Sequence, residues 1–195
     1  MRMKLIVLSV SLFSALSFGQ TKRVDYAADL KKDFTAFFEN IKEKNIENAL
    51  SFMYPKYITE VTREQAFRVL ALSYNNPAFI TDIQDFKIGH TERATLINGE
   101  YFSVTHLSFT MKYKVDWSVI HNVELAKQKI GDALTERYGK DHITYFSNGD
   151  YYLIKAGMKV CGVSEDMKNW KFVIMENDRR SELAKVLPEK IMKKL

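Results

Sequence analysis

Thr95-Leu96-Ile97-Asn98-Gly99-Glu100-Tyr101-Phe102 decides the fold. Asn-Gly between two runs rich in β-branched and aromatic residues is the strongest short-range signal for a two-residue type I′ hairpin. Pairing Ile97 with Glu100 fixes a register. Leu96 then faces Tyr101, His90 faces Leu107, Ile88 faces Phe109 and Phe86 faces Met111. On the opposite face Asp85 meets Lys112, Lys87 meets Thr110 and Thr95 meets Phe102. Apolar residues meet apolar ones and acid meets base, as a correct register requires; one bulge would shift the pairs by one residue.

Working outward, the segment before the hairpin reads as helix. Tyr26, Leu30, Phe34, Phe37, Phe38 and Ile41 recur at spacings of three and four, an apolar stripe. Asn45 caps a short helix that stops before Pro55, and Thr62 with Gln65 forms a capping box for a third. Asn75-Asn76-Pro77 ends that helix. After the hairpin, Val119 to Tyr138 is helical, with Gly139 at the position where glycine closes a helix. A second hairpin turns at Asn148-Gly149, so Tyr145 faces Tyr152, Ile143 faces Ile154 and Phe146 faces Tyr151. Met158–Ser164 and Trp170–Glu176 give further strands, and Ser181–Leu195 a last helix broken at Pro188. Helices, long hairpins and helices again imply an α+β protein: a curved antiparallel sheet wrapped over N-terminal helices, a cone-like roll.

The start of the chain reads differently. Arg2 and Lys4 precede the apolar run Leu5–Phe18, and Ser17 and Gly19 put small residues at −3 and −1 before Gln20. This is the pattern of a secretory signal peptide, too short to span a bilayer. The expected organisation is therefore a signal peptide over 1–19 and a single α+β domain over 20–195, exported to the bacterial periplasm or secreted. Loss of Arg2 and Lys4 lowers the net charge from +5 to +3. So small a charge, interleaved with acids, gives no support to a nucleic-acid partner. No other stretch approaches transmembrane length. The lone Cys161 excludes a disulfide scaffold and reads as a small buried hydrophobe.

Asn45-Ile46-Glu47-Asn48-Ala49-Leu50 leading to Tyr54-Pro55, the strand Asn169-Trp170-Lys171-Phe172-Val173-Ile174 and the tail Leu187-Pro188-Glu189-Lys190-Ile191 together resemble the NTF2-like (SnoaL-like, cystatin-like roll) superfamily and exported bacterial proteins of that plan. The helix between the hairpins departs from it. The resemblance implies a cone that binds a small molecule, performs acid–base chemistry or dimerises.

Signatures of catalysis are missing: no phosphate-binding glycine loop, no nucleophile elbow, no zinc motif. His121 and Glu124, three apart on a helix, lack a third ligand, so no metal or cofactor is expected. His90 falls, on the expected register, on an apolar face with Tyr101 and Tyr113. Tyr145 and Tyr152 oppose each other in the second hairpin. These five are the candidate pocket residues, with no catalytic residue assigned. Among carboxylates, Asp82, Asp85 and Asp116 lie on or beside strands, none clearly inside. The C-terminal stripe Leu183, Val186, Leu187, Ile191 and Leu195 among lysines is expected to dock on the body of the protein or to rest on an anionic membrane, the first being favoured. The expectation is an exported, non-catalytic module that takes a small apolar or amphipathic ligand into a cone-shaped aromatic cavity. The alternatives are an acid–base lyase or isomerase in the same cavity, and a structural module forming a homodimer through its sheet.

Overall fold

A computed structural model describes residues 26–74 and 79–195. The expected signal peptide and the Asn75-Asn76-Pro77 breaker lie outside the described residues. Over the described residues the fold is α+β: four N-terminal helices, a curved six-stranded antiparallel sheet that does not close into a barrel, one helix between the hairpins and two short C-terminal helices.

The N-terminal helices are α1 (Tyr26–Lys42), α2 (Ile46–Ser51), α3 (Pro55–Val61) and α4 (Arg63–Tyr74). The stripe expected from spacing is the buried face of α1: Leu30, Phe34, Phe37, Phe38 and Ile41 are all buried. At about 1.5–3 kcal/mol per fully buried large side chain, this face anchors the helix on the sheet. The N–H of Gln65 donates to Thr62 Oγ1 at 3.2 Å, the backbone half of the expected capping box. Helix α3 was not expected. Pro55 begins it at the first helical turn, where proline's missing N–H costs nothing, instead of merely ending α2.

The sheet contains β1 (Phe79–Thr91), β2 (Thr95–Ile97), β3 (Glu100–Val115), β4 (Ile143–Phe146), β5 (Tyr151–Ser164) and β6 (Lys171–Met175). Strands β3 and β5 are its centre; β1 and β2 flank β3, while β4 and β6 flank β5. At the Asn98-Gly99 turn both residues have positive φ (52° and 87°), and Ile97–Glu100, Leu96–Tyr101 and Thr95–Phe102 pair as expected. Further out the expected register fails. Ile88 pairs with Leu107 instead of Phe109, Lys87 with Ser108 instead of Thr110, and Met111 and Lys112 face Ile83 and Asp82, not Phe86 and Asp85. The cause is extra residues on the outer strand: a break over 92–94 and irregularities at 89–90 and 85–86, the last with Asp85 at φ 43°. Gly89 sits at one of them because a Cβ there would meet the carbonyl oxygen of His106 at 3.0 Å. The second hairpin keeps its expected pairs, Ile143–Ile154, Tyr145–Tyr152 and Phe146–Tyr151. The stretches before and after Gly157 form one continuous strand, β5.

Alternation along β3 and β5 divides the sheet into two faces. Ser103, Gly162 and Phe172 share a row on the face that α1 covers, where Phe172 meets Phe34 and Phe37. Residues Phe52–Tyr54 run beside β6 at the sheet edge, the N–H of Tyr54 donating to the Phe172 carbonyl at 3.0 Å. The chain thereby passes from the covered face to α3. On the opposite face α6 (Arg180–Val186) and α7 (Glu189–Met192) bury Leu183, Leu187, Ile191 and Met192, so the C-terminal stripe docks on the body of the protein. Lys194 pairs with Glu92, and Lys159 Nζ donates to the Lys194 carbonyl at 2.6 Å. Helix α5 (Val123–Tyr138) is capped by Asn122, which accepts from the Leu125 N–H at 3.2 Å, and ends at Gly139. Among the described residues no helix is long and apolar enough to cross a membrane.

Candidate functional site

The space between α1 and the sheet is filled by a packed group of rings. Phe38 and Phe86 stack at 3.8 Å between centroids, Phe34 meets Phe172 edge-on at 5.0 Å, and Phe37 stacks on Phe172 at 5.8 Å. Trp170 and Tyr26 extend the group at 6.0 Å. Offset and edge-on contacts of this kind are those of a filled interior.

Three of the five candidate pocket residues come together in one row. Tyr113 on β3 is opposite Tyr152 on β5, which is opposite Tyr145 on β4. Helix α5 lies over this row: the Tyr152 hydroxyl donates to the Lys127 carbonyl at 3.2 Å, and its ring lies 4.9 Å from that of Tyr145. Tyr145 donates to Asp150, which also faces Lys127 Nζ at 3.5 Å. Burial pushes the Tyr113 hydroxyl up to about 12, and it also raises Tyr152. Tyr145 is exposed; its hydrogen bond to the Asp150 carboxylate raises its pKa. The row ties α5 to the sheet, and its three tyrosines lie apart from the clefts described below.

The other two candidates lie apart from it. His90 is exposed at an irregularity of β1, its ring 6.4 Å from that of the exposed His106. Its expected place opposite Leu107 is taken by Ile88. Tyr101 is half-buried beside Leu96 and Ser164. Asp82, Asp85 and Asp116 are all exposed. Asp116 lies below its usual range because the Ser118 hydroxyl and N–H both donate to it. Cys161 is fully buried, and desolvation pushes its thiol up to about 12. Among the described residues the buried polar side chains are Ser103, Thr105 and Ser164, and no group of three or more metal-ligating side chains gathers.

A cleft of about 450 Å³ opens elsewhere, between α3, α4, β6 and α6. Met53, Val61, Ala66, Leu70 and Ile174 form its apolar floor. Its rim is charged. Lys185 of α6 pairs with Glu60 of α3, and Glu176 holds Arg137 at 2.6 Å and Arg179 at 3.8 Å. Tyr57, buried at the mouth, has its hydroxyl raised by burial, with Arg179 pulling the other way. A second cleft of about 410 Å³ contains Glu100, which accepts from Tyr54 at 3.0 Å and from Lys56 at 2.7 Å. Two more of its charged groups are held by the backbone: Asp166 accepts from the Lys168 and Asn169 N–H groups, and Lys171 Nζ donates to the Ser51 carbonyl.

The first cleft escaped sequence reasoning because its walls come from four elements far apart in the chain. One local signal existed. Pro55 followed by Tyr57 and Val61, four apart, is the start of an amphipathic turn.

No protein-family model matches the chain, and neither any curated protein nor any solved structure matches it.

Proposed function

We propose that the protein is an exported, non-catalytic module that binds a small amphipathic ligand, and that the ligand site is the cleft between α3, α4, β6 and α6. The observation that carries this reading is the cleft itself: an apolar floor of Met53, Val61, Ala66, Leu70 and Ile174 under a rim carrying Arg179 and Lys185 with glutamates. Such a site takes an apolar body inward and holds a charged head at the mouth. The absence of buried carboxylates and imidazoles among the described residues favours binding over acid–base catalysis, which needs a titratable group held near a donor away from water. Export rests on the leader at residues 1–19, and kinship with the NTF2-like superfamily rests on the quoted motifs and on helices preceding a curved sheet.

The test uses 8-anilinonaphthalene-1-sulfonate, an apolar body with an anionic head. The native protein binds one equivalent, and Ala66→Phe, which fills the floor, weakens binding at least about tenfold while the far-ultraviolet spectrum is kept. Unchanged binding in Ala66→Phe removes the cleft as the site.

A further inference from the structure

The part of the sheet that the C-terminal helices leave uncovered carries an orderly set of lysines. Four successive cross-strand rows on this face each contain one. Lys114 lies in the row Ile80–Lys114–Tyr151–Phe146, and Lys112 in the row Asp82–Lys112–Leu153–Thr144. Lys155 follows in the row Gln84–Thr110–Lys155, and Lys87 in the row Lys87–Ser108–Gly157. Alternate residues along a strand are about 6.8 Å apart, so the four charges step down roughly 20 Å of sheet. Lower down, the exposed His106 and His90 prolong the line.

Acids reach the lysines only loosely: Asp82 stands opposite Lys112, and Lys114 acts electrostatically on Asp116. Elsewhere the protein pairs its cations closely, as in Lys56–Glu100, Arg63–Glu47 and Arg137–Glu176. Among the described residues Lys87, Lys112, Lys114 and Lys155 form no ion pair within 4.0 Å; Lys112 lies over the Tyr151 ring at 4.3 Å. The acids on this face are Asp82, held by the Gln84 amide at 2.9 Å, and Asp85. Between the lysines the surface sinks into a trough lined by Ser108, Thr110, His142 and Gly157, with Asp85 the one carboxylate along it. Its floor stays low because Gly157 has no side chain and a Cβ there would meet the Leu107 carbonyl oxygen at 3.1 Å.

We propose that this trough and its lysine line bind a linear acidic polysaccharide, with carboxylates or sulfates on the lysines and sugar hydroxyls on Ser108, Thr110 and His142. Three other occupants fit less well. A second copy of the face would set lysines against lysines. A flat bilayer offers no group that enters the trough between Ser108, Thr110 and His142. A single-stranded nucleic acid needs exposed rings on which successive bases stack; Tyr151 and Phe146 lie in the Lys114 row, and the other three rows hold none. The site is separate from the α3–α4–α6 cleft and does not depend on it.

The experiment titrates the full chain with polygalacturonate and with dextran sulfate by calorimetry in low and moderate salt. It compares wild type with Lys87→Gln/Lys112→Gln/Lys155→Gln and with Lys31→Gln/Lys32→Gln/Lys190→Gln, which removes equal charge elsewhere. Binding of either polymer to wild type, weakened at least about tenfold by the sheet triple and less than about threefold by the control triple, supports the assignment. Equal losses in both triples overturn it, as does no binding of either polymer. Tighter binding of oligothymidylate, or of vesicles containing phosphatidylglycerol, than of both polymers also overturns it in favour of those partners. Anilinonaphthalenesulfonate binding in the sheet triple stays at the wild-type level, so failure here is distinguishable from failure of the cleft.

Discussion

Phe172→Ala distinguishes a filled aromatic interior from a ligand cavity. Phe172 is 1% exposed, meets Phe34 edge-on at 5.0 Å and stacks on Phe37 at 5.8 Å. Removing a buried phenylalanine ring costs about 3–5 kcal/mol, through lost transfer energy and the hole left behind. Each aromatic contact contributes about 0.5–1.5 kcal/mol beyond area, which places this site in the upper half of that range. Relaxation has little room: Phe34 is also held by Phe86 at 5.9 Å, and the Phe172 backbone exchanges hydrogen bonds with Phe52 and Tyr54. The expected loss is therefore about 4 kcal/mol, which for a domain of this size lowers Tm by roughly 8–16 °C. Urea unfolding followed by circular dichroism and Tm by scanning calorimetry read both quantities. Phe172→Leu, which keeps most of the volume, should lose less than half as much. If the rings lined an empty cavity, Phe172→Ala would cost under about 1 kcal/mol, and that result would refute the reasoning.

Two further perturbations test the packing and its electrostatics. Gly162→Ala puts a Cβ 3.1 Å from the Trp170 ring and 3.2 Å from Leu30 Cδ1, both buried, and should cost about 1–3 kcal/mol by urea unfolding; a neutral result would contradict the closeness of α1 to β5. The Cys161 thiol, raised to about 12 from an ordinary value of 9, keeps its proton in the folded state where the unfolded chain has lost it. Its contribution is complete below pH 9 and is lost as pH rises through about 12, at up to about 1.4 kcal/mol per pH unit. Cys161→Ala should flatten that alkaline decline, leaving the part due to Tyr113, and native Cys161 should resist Ellman's reagent at pH 8; rapid labelling without unfolding would contradict its burial.

Local signals were readable in the sequence, and remote ones were not. Asn98-Gly99 fixed three pairs correctly because a type I′ turn sets register over a short distance. Each extra residue on the outer side, one between β2 and β1 and two within β1, then moved the partner by one, so Asp82 and not Asp85 reached Lys112. Gly89, an isolated glycine within the strand, was the one local mark of the irregularity beside it, and without it His90 was placed opposite Leu107, where Ile88 stands. The second hairpin kept its register through Tyr145–Tyr152 because its paired segment is only four residues long. The stripe of α1 was legible because helical periodicity is itself a statement of burial. That its phenylalanines interlock with Phe86 and Phe172, instead of enclosing space, depends on contacts more than forty residues apart. The cleft was invisible for the same reason: its floor joins Ala66 to Ile174.

The most direct measurement is methyl-resolved NMR of the protein titrated with 8-anilinonaphthalene-1-sulfonate. The account predicts that shifts concentrate on Met53, Val61, Ala66, Leu70 and Ile174, while Ile83, Met111 and Ile154 beneath the sheet rows stay unmoved. Shifts centred on Ile83, Met111 and Ile154 instead, with the cleft methyls silent, would place the ligand against the sheet and contradict it.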